Sequence, residues 1–261
     1  MNDLEDINRD ALWQLMGRAM AAALARAQGL VTRAVPGAWR VTSDVNMWMA
    51  NWLACYGVDT ASRAVFQAGL DDAVASGRST SVAVSAAVRD QVVPLVAGLP
   101  LVSEDADPVM WRDARPLPPN PRPYPGQVTR VEVGADLTAV LELIGRAFGV
   151  DQAASCLAMA GALDDPAMGM FTASSDSLDS VCMTYTEASL THIYLMATDP
   201  DRQRRGAGWA VMARAMETAI RDGATGFFLM ASGAGEHLYH ALGYETYEWA
   251  EYWMVNPTTG K

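Results

Sequence analysis

The chain has 261 residues, enough for one large domain or two modest ones, with 51% apolar and 19% charged residues in an ordinary globular mixture. A formal net charge of −11 disfavours a nucleic-acid phosphate backbone as partner and steers in cationic or amine-bearing molecules instead. Cys55, Cys156 and Cys182 are scattered and odd in number, so they predict no metal site and no disulfide framework, and a reducing cytoplasm fits them.

Residues 1–10 are acidic and polar, without the basic start and apolar core of a signal peptide. Residues 11–31 are apolar but broken by Arg18, Arg26 and Gln28. The spacing of Leu12, Leu15, Met16 and Ala19 predicts an amphipathic helix packed on the protein, not a membrane span. Residues 34–114 carry no catalytic signature. Residues 115–126, RPLPPNPRPYPG, contain six prolines. Proline fixes φ and has no N–H to donate, so neither a helix nor a central strand runs through this stretch. It reads as a semi-rigid linker between an α/β N-terminal lobe (1–114) and a C-terminal domain (127–261).

Beyond the linker the pattern predicts a strand at 129–133, helices at 136–148 and 152–162, and strands at 169–173, 180–186 and 189–198. A polar, arginine-rich turn follows, then a helix at 208–222 stopped by Gly223. An apolar strand at 226–232, a short helix at 236–242 ended by Gly243, and a strand at 245–255 complete the chain. Strands alternating with helices place the protein in the α/β class, with a mixed central sheet flanked by helices.

The segment richest in chemistry is Thr198-Asp-Pro-Asp-Arg-Gln-Arg-Arg-Gly-Ala-Gly208, between a strand and a helix. Gly206 and Gly208 let the backbone turn tightly and approach a ligand. The following helix offers unpaired N–H groups and a positive dipole end, and Arg202, Arg204 and Arg205 bring charge-assisted donors; together these suit a pyrophosphate. A Walker loop is excluded because Trp209-Ala210 follows Gly208, and a dinucleotide fingerprint because Val211 stands at its third glycine. Taken alone, the loop also fits an ordinary glycine-containing turn.

Gln203-Arg-Arg-Gly-Ala-Gly208 matches Q/R-x-x-G-x-G/A, and Ser232-Gly-Ala-Gly-Glu-His-Leu-Tyr-His-Ala-Leu-Gly-Tyr244 is similar to N-x-x-A-x-x-L-Y-x-x-L-G-F. With these two motifs in order, residues 128–255 resemble the GNAT superfamily of acyl-coenzyme A-dependent N-acetyltransferases. Ser232, Gly235, Tyr244 and Thr198 depart mildly from the usual Asn, Ala, Phe and Val. The resemblance implies the GNAT fold, acetyl-coenzyme A as co-substrate and an amine acceptor. It implies that backbone groups of Met196, Ala197 and Thr198 meet the pantetheine arm. Gln203, Arg204, Arg205, Gly206, Ala207, Gly208 and Trp209 then meet the phosphates, with Ser232 completing the set. Tyr239 stands at the family's general-acid position. The base is open among His192, Glu187, Glu236 and His237, or water alone; His192 is carried beside Tyr239 as the catalytic candidate.

The first half echoes the second at a shift of 146 residues. Val65-Phe66, Leu70, Ala73-Val74 and Gly77 align with Val211-Met212, Met216, Ala219-Ile220 and Gly223. Chance similarity between two α/β segments is the competing explanation. At this shift Gln203, Gly206 and Gly208 meet Gly57, Thr60 and Ser62, so the phosphate loop is missing and one coenzyme site per chain is expected. The first lobe would then be a degenerate GNAT-like unit that shapes the acceptor pocket or a homodimer surface. Residues 39–52, with Asn46, Trp48 and Asn51, are either pocket lining or core. The expected activity is acetyl transfer to a small-molecule amine. Protein lysine or N-terminal acetylation, transfer of a longer acyl chain and a non-catalytic coenzyme-binding module are the alternatives.

Overall fold

The computed structural model describes residues 8–103 and 106–256, so most of the acidic leading segment lies outside the described residues. The first helix, α1 (Arg9–Ala23), buries Leu12, Leu15, Met16 and Ala19 together, and Asn8 caps it by accepting the Ala11 N–H. The first half continues through β1 (Val31–Val35), β2 (Ala38–Thr42), β3 (Trp52–Cys55), α2 (Thr60–Ser76), β4 (Thr80–Ser85), α3 (Arg89–Val96), β5 (Leu101–Ser103) and β6 (Asp107–Asp113). The second contributes β7 (Gln127–Arg130), α4 (Thr138–Phe148), α5 (Gln152–Met159), β8 (Met168–Ser174), β9 (Leu178–Glu187), β10 (Leu190–Thr198), α6 (Ala207–Arg221), β11 (Gly226–Met230), α7 (Gly233–Ala241) and β12 (Glu245–Val255). Each element expected in the second half is present, and residues 115–126 carry neither helix nor strand.

All the strands join one mixed sheet in the order β1-β2-β3-β4-β12-β6-β11-β10-β9-β8-β7, with β5 beside β12. The centre of the sheet is an exchange. β12, from the second half, pairs with β4, while β6, from the first half, pairs with β11, and the two exchanged strands pair with each other. The echo reappears in the sheet one residue out of that shift. At 147 residues Val82 matches Leu229, both on the face covered by α2 and α6, and their partners on the exchanged strands are Trp253 and Met110. In each half a helix, α2 or α6, leads into a strand that lies parallel to the preceding one.

Alternation along the strands sorts side chains onto two faces. One face, with Ala54, Ala83, Met183, Leu195 and Phe228, packs under α1 and α4; α1 touches strands from both halves. The other is covered by α6 and α7 over the second half and by α2 and α3 over the first, with Phe227, Leu229 and Ile193 in one cluster and Leu53, Val82 and Phe66 in the other. Within 39–52 the core alternative holds for Trp39 and Asn51, both buried. The Asn51 amide accepts from Ser43 N–H at 2.8 Å and donates to Val45 O at 2.8 Å, so it staples a loop.

Candidate active site

β10 and β11 run parallel through Leu190↔Gly226, Thr191↔Phe227 and His192↔Phe228, and there their pairing ends. β10 stays bonded to β9 as far as Thr198↔Ser180, and β11 to β6 as far as Met230↔Val109. The two strands therefore fork, and backbone groups of β10 beyond His192 face a gap instead of a neighbouring strand. In the first half β3 is paired with β4 along its whole length, Trp52↔Ser81 to Cys55↔Val84.

A register shift between Ile193 and Leu195 marks a bulge at Tyr194, just past the fork. The bulge reverses the side-chain parity. Ile193 faces the α6 side, Tyr194 and Leu195 both face the α1 side, and Met196 returns to the α6 side. This places Met196 and Thr198 beneath the start of α6. A Cβ on Gly208 would meet Met196 Cε at 2.8 Å and Thr198 Oγ1 at 3.2 Å, so strand and helix approach closely at this glycine.

α6 begins at Gly206, with φ +87° and no side-chain cap. Its first backbone bond runs from Ala210 N–H to Gly206 O, which leaves the N–H groups of Ala207, Gly208 and Trp209 without partners inside the helix. Arg204, at φ +62°, and Gly206 give the loop two left-handed turns, a backbone shape that gathers N–H groups into an anion-binding concavity. The equivalent helix α2 differs at this point. The Asp59 carboxylate accepts from Ala61 N–H and Ser62 N–H, so an acidic side chain fills the place a phosphate would take. The Ser62 hydroxyl, which also donates to this carboxylate, together with those N–H bonds holds the Asp59 carboxyl below the usual carboxylate range.

The arginines divide. Arg202 is paired with Asp176 and with Asp179 at 3.1 Å, so it ties the loop to the β8–β9 hairpin and is not free to meet a phosphate. Arg205 donates to Asp201 O at 3.2 Å and is exposed, as are Gln203 and Arg204. Trp209 packs against the α6-side cluster, and its indole N–H is buried with no partner among the described residues. Ser232 caps α7 by position only and is exposed.

Tyr239, on α7, is buried on the α6 side, edge-on to Tyr244 with ring centroids 6.0 Å apart. Burial pushes its phenol well above the ordinary value, so the hydroxyl keeps its proton at neutral pH. Gly235 leaves room for the ring: a Cβ there would meet Tyr239 Cε2 at 2.8 Å. His192 is buried, stacked on Phe228 at 4.6 Å, with Nδ1 3.4 Å from Phe228 O. Desolvation lowers its pKa to about 3, which makes it a poor acceptor for an ammonium proton. Glu187 is bound to Arg18 at 2.6 Å, Glu236 faces His240 at 3.3 Å, and His237 is exposed. Among the described residues no group of three His, Cys, Asp or Glu could hold a metal ion, and no helix is long and apolar enough to cross a membrane.

Residues 167–254, which contain the fork, the bulge and the loop, match the family described as FR47-like protein. No curated protein matches the sequence. Among solved structures, the chain superimposes on a GCN5-related N-acetyltransferase from Kribbella flavida with a TM-score of 0.64 at 18% identity, over 93% of this chain and 96% of that one. The chain has the GNAT fold. A GCN5-related N-acetyltransferase from Sphaerobacter thermophilus gives a TM-score of 0.56 at 15% identity, over 92% and 91% of the two chains. A tandem GNAT protein from the clavulanic acid biosynthesis pathway gives 0.53 at 12% identity, over 95% of each. These superpositions run over both halves of the chain, beyond the segment matched by the family.

Sequence reasoning missed three features of the site. The bulge at Tyr194 leaves no mark in residue type. The occupation of Arg202 was signalled only by the acidic run Ser174-Ser-Asp-Ser-Leu-Asp179 on a neighbouring hairpin. Contact between residues 115–126 and the loop is the third: a Cβ on Gly206 would lie 2.2 Å from Arg122 O.

Proposed function

We propose that the protein is an acetyltransferase that moves an acetyl group from acetyl-coenzyme A to the amine of a small molecule. The observation that carries this reading is the strand fork, which opens beneath the uncapped start of α6, with Tyr239 packed in the same cluster as the first turn of that helix. An extended pantetheine arm fits the fork as an added strand would, against the free backbone groups of Met196, Ala197 and Thr198. The N–H groups of Ala207, Gly208 and Trp209 suit the pyrophosphate, and the exposed Arg204 and Arg205 stand beside them. Ser232 and Gln203 border this region.

In the reaction the amine nitrogen bonds to the thioester carbonyl carbon and the C–S bond breaks. An unpaired β10 N–H polarises the carbonyl oxygen. Tyr239 offers its O–H to the departing sulfur; burial, by keeping the phenol protonated, keeps that donor present across neutral pH. The ammonium proton leaves through water, because His192 is held neutral and stacked, and Glu187 and Glu236 are engaged elsewhere.

Two measurements test this. Acetyl-coenzyme A at a hundred times its dissociation constant should stabilise the chain by about 2.7 kcal/mol in thermal melting. Free amines and lysine peptides are then screened by release of coenzyme thiol. Turnover confined to peptides would move the acceptor to proteins, and binding without any turnover would make the chain a coenzyme-binding module.

A further inference from the structure

The segment 115–126 is more than a connection between the two halves. Arg122 and Tyr124 rest directly on the phosphate loop: Arg122 O lies 2.2 Å, and Tyr124 N 3.5 Å, from where a Gly206 Cβ would be. Arg122 Nη1 donates to Arg204 O at 3.0 Å, so the segment also bonds the loop residue with φ +62°. One buried carboxylate holds both partners in this contact. Asp179 Oδ2 accepts from Tyr124 Oη at 2.6 Å and from Ser175 Oγ at 2.7 Å, while its Oδ1 accepts from Arg202 Nη1 at 3.1 Å. Its backbone O accepts the Asp199 N–H at 2.9 Å. Asp179 therefore joins the proline-rich segment, the β8–β9 hairpin and the residues that open the loop.

We propose that the proline-rich segment is a fixed wall of the coenzyme's phosphate end, and that Asp179 is the positioning residue that holds this wall and the loop in register. The inference rests on the acetyltransferase reading. Proline-fixed backbone loses little entropy on being ordered, so a few bonds suffice to hold it. A loop whose left-handed residues are braced from outside keeps its N–H groups aimed before the ligand arrives. Asp179 touches neither thioester nor amine in this scheme; it acts through Arg202 and Tyr124.

The test compares wild type, Asp179→Asn, Tyr124→Phe and the double variant. Acetyl-coenzyme A affinity is measured by titration calorimetry, and turnover is measured with acetyl-coenzyme A and with S-acetylpantetheine, which lacks the phosphate end. Hydrogen bonds to a buried charge are strong enough that Asp179→Asn should raise the Kd and KM for acetyl-coenzyme A about tenfold, with kcat at saturation within about twofold. Tyr124→Phe should give a smaller rise, and the double variant should be no worse than Asp179→Asn, since the effect of Tyr124 runs through the Asp179 carboxylate. S-acetylpantetheine turnover should be unchanged. Equal loss with both donors, or unchanged acetyl-coenzyme A affinity in folded variants, overturns the proposal. If Asp179→Asn does not fold, Tyr124→Phe decides by the same comparison. A wild type that binds no acetyl-coenzyme A overturns the acetyltransferase reading and the wall with it, whereas binding that the variants leave intact overturns the wall alone.

Discussion

Gly206→Ala separates two forces that act at one residue. Gly206 has φ +87°, where an alanine costs about 1–2 kcal/mol in backbone strain. Its Cβ would also stand 2.2 Å from Arg122 O, so the loop or the proline-rich segment must move, at a further cost of about 1–3 kcal/mol. Gly223→Ala is the internal control: φ is +103°, and the new Cβ would meet nothing within 4 Å. The control should lose backbone strain energy alone, about 1–2 kcal/mol. At about 2–4 °C per kcal/mol for a chain of this size, Gly206→Ala should melt roughly 4–20 °C below wild type and Gly223→Ala roughly 2–8 °C below. Scanning calorimetry with and without acetyl-coenzyme A gives both readings. Gly223→Ala should keep the full ligand-induced shift, and Gly206→Ala should lose most of it. Equal melting losses, with the ligand shift intact in both, would refute a loop braced by residues 115–126.

Other outcomes follow from the same geometry. Tyr239→Phe should lower kcat about 10–100-fold with the KM for acetyl-coenzyme A nearly unchanged, measured by steady-state thiol release, because only the hydroxyl donor is removed. His192 takes up a proton near pH 6.5 when unfolded but only near 3 when folded, so the unfolded chain binds more protons between these values. Stability should fall as pH drops through that window, by up to about 1.4 kcal/mol per unit, and His192→Phe should flatten that part of the denaturation profile while keeping a ring on Phe228. Arg112 is buried and donates to Leu242 O at 2.7 Å, Arg115 O at 2.5 Å and Asp113 O at 3.0 Å; Arg112→Met removes these bonds from a buried site and should cost about 2–4 kcal/mol in chemical denaturation. Calorimetric titration should give one acetyl-coenzyme A per chain, since Asp59 occupies the start of α2; a stoichiometry of two would overturn that assignment.

The second half was legible because its signals are local. Helical spacing in 136–148, the turn at Gly223 and the two motifs each depend on residues close in sequence, and each produced the expected element. The exchange of β6 and β12 was not legible, since either strand's apolar pattern suits any central position in a sheet. At the site, the glycines announced the loop because φ above zero and close approach have few other solutions. The partners of the arginines did not appear in the motif, because Asp176 and Asp179 arrive through tertiary packing. In sequence His192 is one of several candidate bases; only its stacking and burial show how far desolvation lowers its basicity.

The crossing of β6 and β12 sets a timetable for biosynthesis. β4 waits for a neighbour that lies near residue 250, since its partners are 250–255. As the polypeptide leaves the ribosome, the edge of β4 and the β6 edge that β12 takes stay uncovered until β12 has emerged. Neither half closes its sheet before the other, so premature termination anywhere before β12 yields open edges suited to chaperones, proteases or other nascent copies, and not a shorter working enzyme.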